Sequence, residues 1–207
     1  MTHPIMQART PEIYQTVTPT VSDRLLQEMP RFFKGNWSTL LRELFQNAYR
    51  AGAQNVQREI DTARRAVTVT DDGCGIREPQ VLLTAGATNW DENRVVEPAG
   101  AGFFALLHDS TLSVTVVSWN HEQNFAWRMQ FHPRDILAER RALAAGAIVM
   151  PDLSPAGTAI RLEVKDALGA LVAKKDDEEI PMPILAARAL YPFTLALTVD
   201  GQAAVTV

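Results

Sequence analysis

The strongest constraint on the fold is a helical pattern that leads directly into two strand-like segments. Residues 55–60 and 66–71 alternate between apolar and polar side chains, which predicts two short strands. Before them, Asn36 is a suitable helix N-cap and Gly52 a suitable stop. Between these two residues the apolar side chains recur at helical spacing: Trp37, Leu40, Leu41, Leu44, Phe45 and Ala48.

The remaining segments extend this pattern into a domain of class α+β. It is predicted to be a two-layer α/β sandwich, a mixed sheet covered by helices on one face. Residues 1–20, rich in Thr and Pro, are predicted to form an N-terminal arm, and residues 21–207 the domain. Further strands are predicted at 112–119, 124–131, 157–164 and 194–199, and further helices at 21–33, 77–84, 100–108 and 135–145.

Composition removes several function classes. The net charge of -4 gives a nucleic-acid partner no support from bulk electrostatics, although a local basic patch stays open. With one cysteine, no intrachain disulfide and no multi-thiolate zinc site can form. No apolar run reaches the length of a membrane span, and residues 1–12 lack the pattern of a secretory signal. A cytoplasmic protein that is not inserted in a membrane is expected.

The first candidate pair lies on the predicted helix. Glu43 and Asn47 are four residues apart, so they project from one face about a turn apart. A carboxylate there suits orientation of a water, and a carboxamide oxygen suits a hard cation such as Mg²⁺. Such pairs are also common on ordinary exposed helix faces, and this one alone does not decide between the two interpretations.

The second candidate group follows the strand that ends near Asp71. Gly73 and Gly75 come next in alternate positions and permit a tight turn to which a flat ligand comes close. A carboxylate at this point can accept a hydrogen bond from an exocyclic amine. An Asp-Gly hairpin turn is the alternative. Cys74 is expected to be a small packed residue, since no histidine lies nearby in sequence to activate it.

The third candidate group opens the predicted helix at 100–108. Gly100, Ala101 and Gly102 leave backbone N–H groups free at the point where a loop becomes a helix, which suits phosphate groups. No Lys-Ser/Thr pair follows, so this is not a Walker A motif. A flexible hinge before an apolar helix is the alternative interpretation.

Together the three groups read Glu-x-x-x-Asn, Asp-x-Gly-x-Gly and Gly-x-Gly-Phe-Phe. This series resembles the GHKL ATPase superfamily of DNA gyrase, heat-shock protein 90 chaperones, sensor histidine kinases and MutL, which has the Bergerat fold. The first and third motifs are similar to the chaperones and the second to MutL. The segment at 157–162 resembles the superfamily strand whose threonine supports the adenine-binding aspartate, and 191–195 resembles a closing segment of the chaperones. The resemblance extends from about residue 25 to residue 199.

The resemblance implies a role for each matching residue. Glu43 would be the general base and Asn47 the Mg²⁺ ligand, with ATP and Mg²⁺ as cofactors. Asp71 would bind the adenine amine, supported by Thr158 through water. The remaining nucleotide contacts would come from Gly73, Gly75, Ile76, Gly100, Ala101, Gly102 and Phe103, beneath a lid at about 77–99.

The function implied is Mg-dependent ATP hydrolysis by a heat-shock protein 90-like domain. Lid closure and ATP-dependent homodimerisation would drive attached domains and an unspecified client protein. The superfamily takes a phosphate-sensing Lys or Arg from a second domain, so hydrolysis by this domain alone is expected to be slow. The alternative is a nucleotide-binding regulatory module with little or no turnover. Arg50 departs from the pattern, because the chaperone and MutL branches usually have aspartate there.

Overall fold

The computed structural model describes residues 12–20, 37–84, 102–107, 110–120, 124–139, 141–149, 157–165 and 190–206. The predicted helix at 21–33 and most of the predicted lid, 85–99, lie outside these ranges. Gly100, Ala101 and the N-cap candidate Asn36 also lie outside them. Within the described ranges, no helix is long and apolar enough to cross a membrane.

The described residues form nine strands, two α-helices and two 3₁₀ turns. The helices are α1 (Trp37–Arg50) and α2 (Pro133–Leu137), and the 3₁₀ turns are Pro79–Leu83 and Gly102–Leu107. The strands are β1 (Ile13–Val17), β2 (Asn55–Asp61), β3 (Ala66–Asp71), β4 (Thr111–Asn120), β5 (Phe125–Phe131), β6 (Leu143–Ile148), β7 (Gly157–Val164), β8 (Thr194–Val199) and β9 (Gln202–Thr206).

All nine strands belong to one sheet with the order β1-β6-β5-β4-β7-β3-β2-β8-β9. Strands β2 and β8 are parallel, with Val56 opposite Leu195, and every other neighbouring pair is antiparallel. The sheet is therefore mixed, and the α+β class predicted from the sequence is confirmed. In its centre, β3 lies between β2 and β7, so the strand that ends at Asp71 has a neighbour on each side.

Helix α1 contributes the predicted apolar stripe to the main core. Phe45 is fully buried, and its ring centroid lies 6.3 Å from that of Phe193, just before β8. The helix ends as predicted near Gly52, which has φ 76° and donates its N–H to the carbonyl of Tyr49 at 2.9 Å. The core joins this stripe to the apolar sides of the strands; its helix members are Leu40, Leu41, Leu44, Phe45 and Ala48.

The predicted helix at 135–145 is wrong over most of its length. Helix α2 stops at Leu137, and Leu143 begins strand β6. The Ala-rich composition favours a helix locally. Because β6 lies between β5 and β1, its backbone hydrogen bonds are made to both neighbours, and Ala145 is fully buried. Tertiary pairing has overridden local propensity here.

The stretch that precedes residue 21 contains an edge strand that its weak periodicity did not reveal. Strand β1 pairs with β6, and its last residue, Val17, is fully buried. Beyond it, the carboxamide of Gln80 accepts the Thr18 N–H at 3.0 Å and donates to the Thr18 carbonyl at 2.7 Å. Thr20 pairs with Thr84 in an isolated parallel bridge. The edge strand is thereby fastened to the 3₁₀ turn that precedes residues 85–99.

Candidate functional site

Asp71 stands at the carboxyl end of β3, opposite Thr158 of β7. The Gly73 N–H donates to its carboxylate at 2.9 Å. Burial raises the pKa of Asp71 from 3.8 to about 6, although hydrogen bonds from the backbone of Gly73 and Thr158 act in the opposite direction. A carboxylate that keeps its charge at neutral pH in a partly buried position is well placed to accept a hydrogen bond from a ligand.

The neighbouring Asp72 has a structural role. Its carboxylate accepts the Gln54 and Asn55 backbone N–H groups, each at 2.8 Å, and the Asn55 carboxamide at 2.7 Å. Burial alone would raise the pKa of Asp72, but these hydrogen bonds outweigh it and lower the pKa. Asp72 therefore connects the start of β2 to the end of β3, and Asp71 is not used in that connection.

The two glycines after Asp71 are required by close backbone approach. A Cβ on Gly73 would lie 2.6 Å from the Ala51 Cβ, just beyond helix α1. Gly75 has φ 72°, and a Cβ there would overlap the carbonyl oxygen of Trp119 on β4. The loop therefore lies against both the helix end and β4, as a compact turn that only glycines allow.

Ile76 and Cys74 complete this loop. The Ile76 N–H donates to the Ser118 hydroxyl at 2.7 Å, and its carbonyl accepts the Trp127 indole N–H at 2.9 Å. Cys74 donates its N–H to the Ala51 carbonyl at 2.9 Å. Its side chain is exposed, so the expectation of a packed cysteine is wrong. The backbone of residue 74 is held by helix α1 while its thiol points away from the core.

Ser118 is a site residue that the sequence analysis missed. It is fully buried and lies opposite Thr158, with 3.1 Å between the two hydroxyl oxygens. Its signal in the sequence is a break in alternation, because Val114 and Val116 occupy the same face of β4 and a third apolar residue would follow. A buried serine in that series needs hydrogen-bond partners, and here they come from the Asp71 loop and β7.

Glu43 and Gly102 meet on the other side of the site. A Cβ on Gly102 would overlap the Glu43 carboxylate, so the start of the second 3₁₀ turn lies directly on that side chain. Arg42 forms an ion pair with Glu43 at 3.6 Å, and Arg42 is largely exposed. Exposed pairs of this kind add little stability. The carboxylate is thus held beside a backbone segment without a side chain between them.

Helix α1 connects the two halves of the site. Glu43 contacts Gly102, and Ala51, eight residues later, contacts Gly73, which corresponds to roughly 12 Å along a helix axis. Asn47 lies midway and is partly buried. Phe103, next to Gly102, is buried with its ring centroid 6.2 Å from that of Phe131.

Arg50 occupies the last turn of α1, where a positive charge favours the helix dipole. It lies close enough to Tyr191 to act on that phenol. Burial raises the pKa of Tyr191, whereas Arg42 and Arg50 act to lower it. Arg50 stands where the resemblance predicts aspartate, and its positive charge is favourable at the C-terminal end of helix α1.

No protein-family model matches this chain. It is similar to the DNA mismatch repair protein MutL of Aeromonas salmonicida (strain A449), with 26% identity over 133 residues. The matched region is 60% of this chain and 20% of that protein, so the chain spans about a fifth of the relative's length. This likeness supports at most a MutL-like, GHKL-type relationship.

The contact of Gly75 with β4 predicts a large effect of a single methyl group. Gly75→Ala should lower the free energy of unfolding by ~1–2 kcal/mol for its backbone conformation and a further ~1–3 kcal/mol for displacing the Trp119 carbonyl. Urea denaturation measures the total loss of free energy of unfolding. Gly52→Ala is the matched control, since Gly52 has φ 76° and no neighbouring atom within 4 Å of the added Cβ. Equal losses in the two variants would contradict the close approach.

The partly buried carboxylate of Asp71 predicts two opposite pH dependences. Without ligand, Asp71 ionises less readily in the folded protein than in the unfolded chain. Its contribution to thermal stability should therefore fall as pH rises from 3.8 to about 6. The ionised form accepts a hydrogen bond from an amine more strongly than the protonated form does, so affinity for adenosine should rise through the same range and level off above it. Calorimetry with adenosine avoids the titration of phosphates. Asp71→Asn should remove both dependences; a pH dependence that persists in this variant would assign it to another group.

Proposed function

We propose that this chain is a GHKL-type ATP-binding domain that hydrolyses ATP with Mg²⁺. The observation that carries the proposal is the single helix that has Glu43 against Gly102 at one point and Ala51 against the Asp71 loop two turns later. A nucleotide has a base at one end and phosphates at the other, which matches a site with two separated parts. The 26% identity to MutL supports the same function class. For the fold, we propose the two-layer Bergerat sandwich.

At the base end, Asp71 would accept the adenine amine. Gly73 and Gly75 leave the backbone uncovered beside it, and Ile76 adds an apolar side chain packed on the core. Thr158 lies opposite Asp71 in the sheet and would support the contact through a water. This set joins one charged acceptor with uncovered backbone and one apolar side chain, a combination that suits a purine ring.

At the phosphate end, Gly100, Ala101 and Gly102 would contribute backbone N–H groups, followed by Phe103. Glu43 would hold and deprotonate the attacking water. Mg²⁺ prefers oxygen ligands, and the Asn47 carboxamide, one helical turn from Glu43, fits that preference. When bound, Mg²⁺ would neutralise charge on the phosphates. Catalysis by the chain itself would be positioning of water and phosphates.

Residues 77–99 would act as a lid that closes over bound ATP, and closure would favour homodimerisation. These two changes would couple ATP hydrolysis to movement of attached domains. Two contacts support this: the carboxamide of Gln80 on Thr18 and the bridge of Thr20 to Thr84. They fasten edge strand β1 to the first part of the proposed lid. Strand β1 also has an exposed face, with Ile13 65% accessible, that suits exchange with a second copy. As in the heat-shock protein 90-like proposal, the attached domains would then act on a client protein in the cytoplasm.

Glu43→Gln tests hydrolysis directly. The amide keeps the shape beside Gly102 but cannot take a proton, so turnover should fall by about 100-fold or more. ATP affinity should be kept or slightly raised, since the amide keeps the shape of the side chain and removes a negative charge beside the phosphates. Steady-state phosphate release and calorimetry measure the two quantities. Glu59→Gln, an exposed carboxylate on β2, is the matched control and should change neither.

Two results would change this proposal. Unaltered turnover in Glu43→Gln would remove Glu43 from the mechanism. Firm ATP binding with no measurable turnover in the original protein would favour the alternative, a regulatory module that binds nucleotide.

The Gln80 contact tests the coupling to dimerisation. A non-hydrolysable ATP analogue should shift the original protein towards a dimer in light scattering. Gln80→Ala should weaken that shift several-fold, because the two hydrogen bonds between the Gln80 carboxamide and the Thr18 backbone are lost. Gln57→Ala, on the exposed side of β2, is the control. A monomer with and without the analogue would contradict the proposed dimer.

A further inference from the structure

The loop after Asp71 is bound by side chains of two neighbouring strands as well as by helix α1. Ser118 on β4 and Trp127 on β5 lie directly opposite each other, and both residues are fully buried. The Ser118 hydroxyl accepts the Ile76 N–H at 2.7 Å, and the Trp127 indole N–H donates to the Ile76 carbonyl at 2.9 Å. Both backbone polar groups of Ile76 are therefore bound, as they would be in a strand, but by side chains.

A third side chain extends this arrangement along β4. The Asn120 carboxamide donates to the Cys74 carbonyl at 3.3 Å, and Asn120 is buried. On the inward face of β4, two valines, Val114 and Val116, come before Ser118 and Asn120. The change from apolar to polar side chains falls where the loop crosses the strand. The loop and the end of β4 thus run in opposite directions, connected by side chains.

This connection fixes a segment whose own backbone is permissive. Gly73 and Gly75 lie between Asp71 and Ile76, and glycine adopts more backbone conformations than any other residue. If Ile76 were not bound at both backbone groups, a ligand would have to order this end of the loop. Ordering even one residue on binding lowers affinity about fivefold or more. A loop ordered beforehand avoids that loss.

We propose that Trp127 is a positioning residue of the nucleotide site: together with Ser118 it fixes Ile76 relative to Asp71, so that the base end is formed before a nucleotide binds. The inference rests on the proposed nucleotide site and adds to it the residues that preorganise that end. Trp127 acts through Ile76. Its effect should fall on binding of the adenosine part, because Glu43 lies in the other half of the site.

Trp127→Phe removes the indole N–H and keeps an aromatic ring in the core. Affinity for adenosine, measured by calorimetry, should fall about fivefold, since the loop must then be ordered on binding. In steady-state ATP hydrolysis, KM should rise to a similar extent while kcat stays within about twofold. Met129→Leu is the matched control, because Met129 is fully buried two residues further along β5. This swap nearly conserves volume and should change none of these quantities.

Hydrogen exchange without ligand separates positioning from general destabilisation. In Trp127→Phe the Ile76 amide should exchange about fivefold faster, while amides in the middle of β3 and β7 keep their rates. Ser118→Ala removes the acceptor of that amide and should have the same two effects, on exchange and on adenosine affinity. Ser118→Thr keeps the hydroxyl and should restore both. Equal acceleration throughout the sheet would show a structural role only and overturn the inference.

The outcomes separate this inference from the proposed function. If the original protein binds adenosine and ATP, and Trp127→Phe binds adenosine equally well, the positioning role is overturned and the nucleotide site stands. If the original protein binds neither, both proposals are overturned.

Thermal melting shows whether Trp127→Phe folds. If it does not, Ser118→Ala takes its place in the test, and unchanged adenosine affinity in that variant overturns the inference. Ser113→Ala is then the matched control, since Ser113 is also buried on β4 and its hydroxyl bonds to Glu163 at 3.0 Å. It should lose stability without changing adenosine affinity.

Discussion

The contact between the end of helix α1 and the loop after β3 determines where both halves of the candidate site lie. Ala51 accepts the Cys74 N–H at 2.9 Å, and Gly73 packs on the Ala51 methyl group. Asp72 adds three hydrogen bonds from Gln54 and Asn55. One of these contacts is backbone to backbone, whereas the three hydrogen bonds at Asp72 require its carboxylate and the packing on Ala51 requires a glycine at residue 73. Any shift of the loop would move Asp71 relative to Glu43 and Asn47.

The parts of the fold with regular periodicity could be predicted from the sequence. Helix α1 and strands β2, β3, β7 and β8 have nearly the predicted bounds, because one face of each element enters the core and the alternation is clear. The first three residues of strand β6 were predicted as the end of a helix, since Ala and Leu favour helices locally and only the two neighbouring strands impose the strand. Strand β1 was missed for a similar reason: of its five residues, only Val17 is buried.

The site residues that a tight backbone turn requires could be predicted from the sequence. The site residue whose importance comes from its burial in the fold could not. Gly73 and Gly75 could be expected from the need for a tight turn, and both have close neighbours. Ser118 has no motif of its own, and its importance follows from being buried opposite Thr158. Arg58 is a further case. It is fully buried on the core side of β2, and burial lowers its pKa to about 10, which no alternation pattern reveals.

The parallel pairing of β2 with β8 has a consequence for biosynthesis. Asn55 pairs with Thr194, so a strand made early must wait for a segment synthesised about 140 residues later. At usual translation speeds that delay is on the order of ten seconds. During it, β2 has an open hydrogen-bonding edge next to the strand that carries Asp71, a state prone to pairing with other chains. The nascent polypeptide therefore has an unpaired strand edge, open to aggregation, beside the segment on which its candidate site is built.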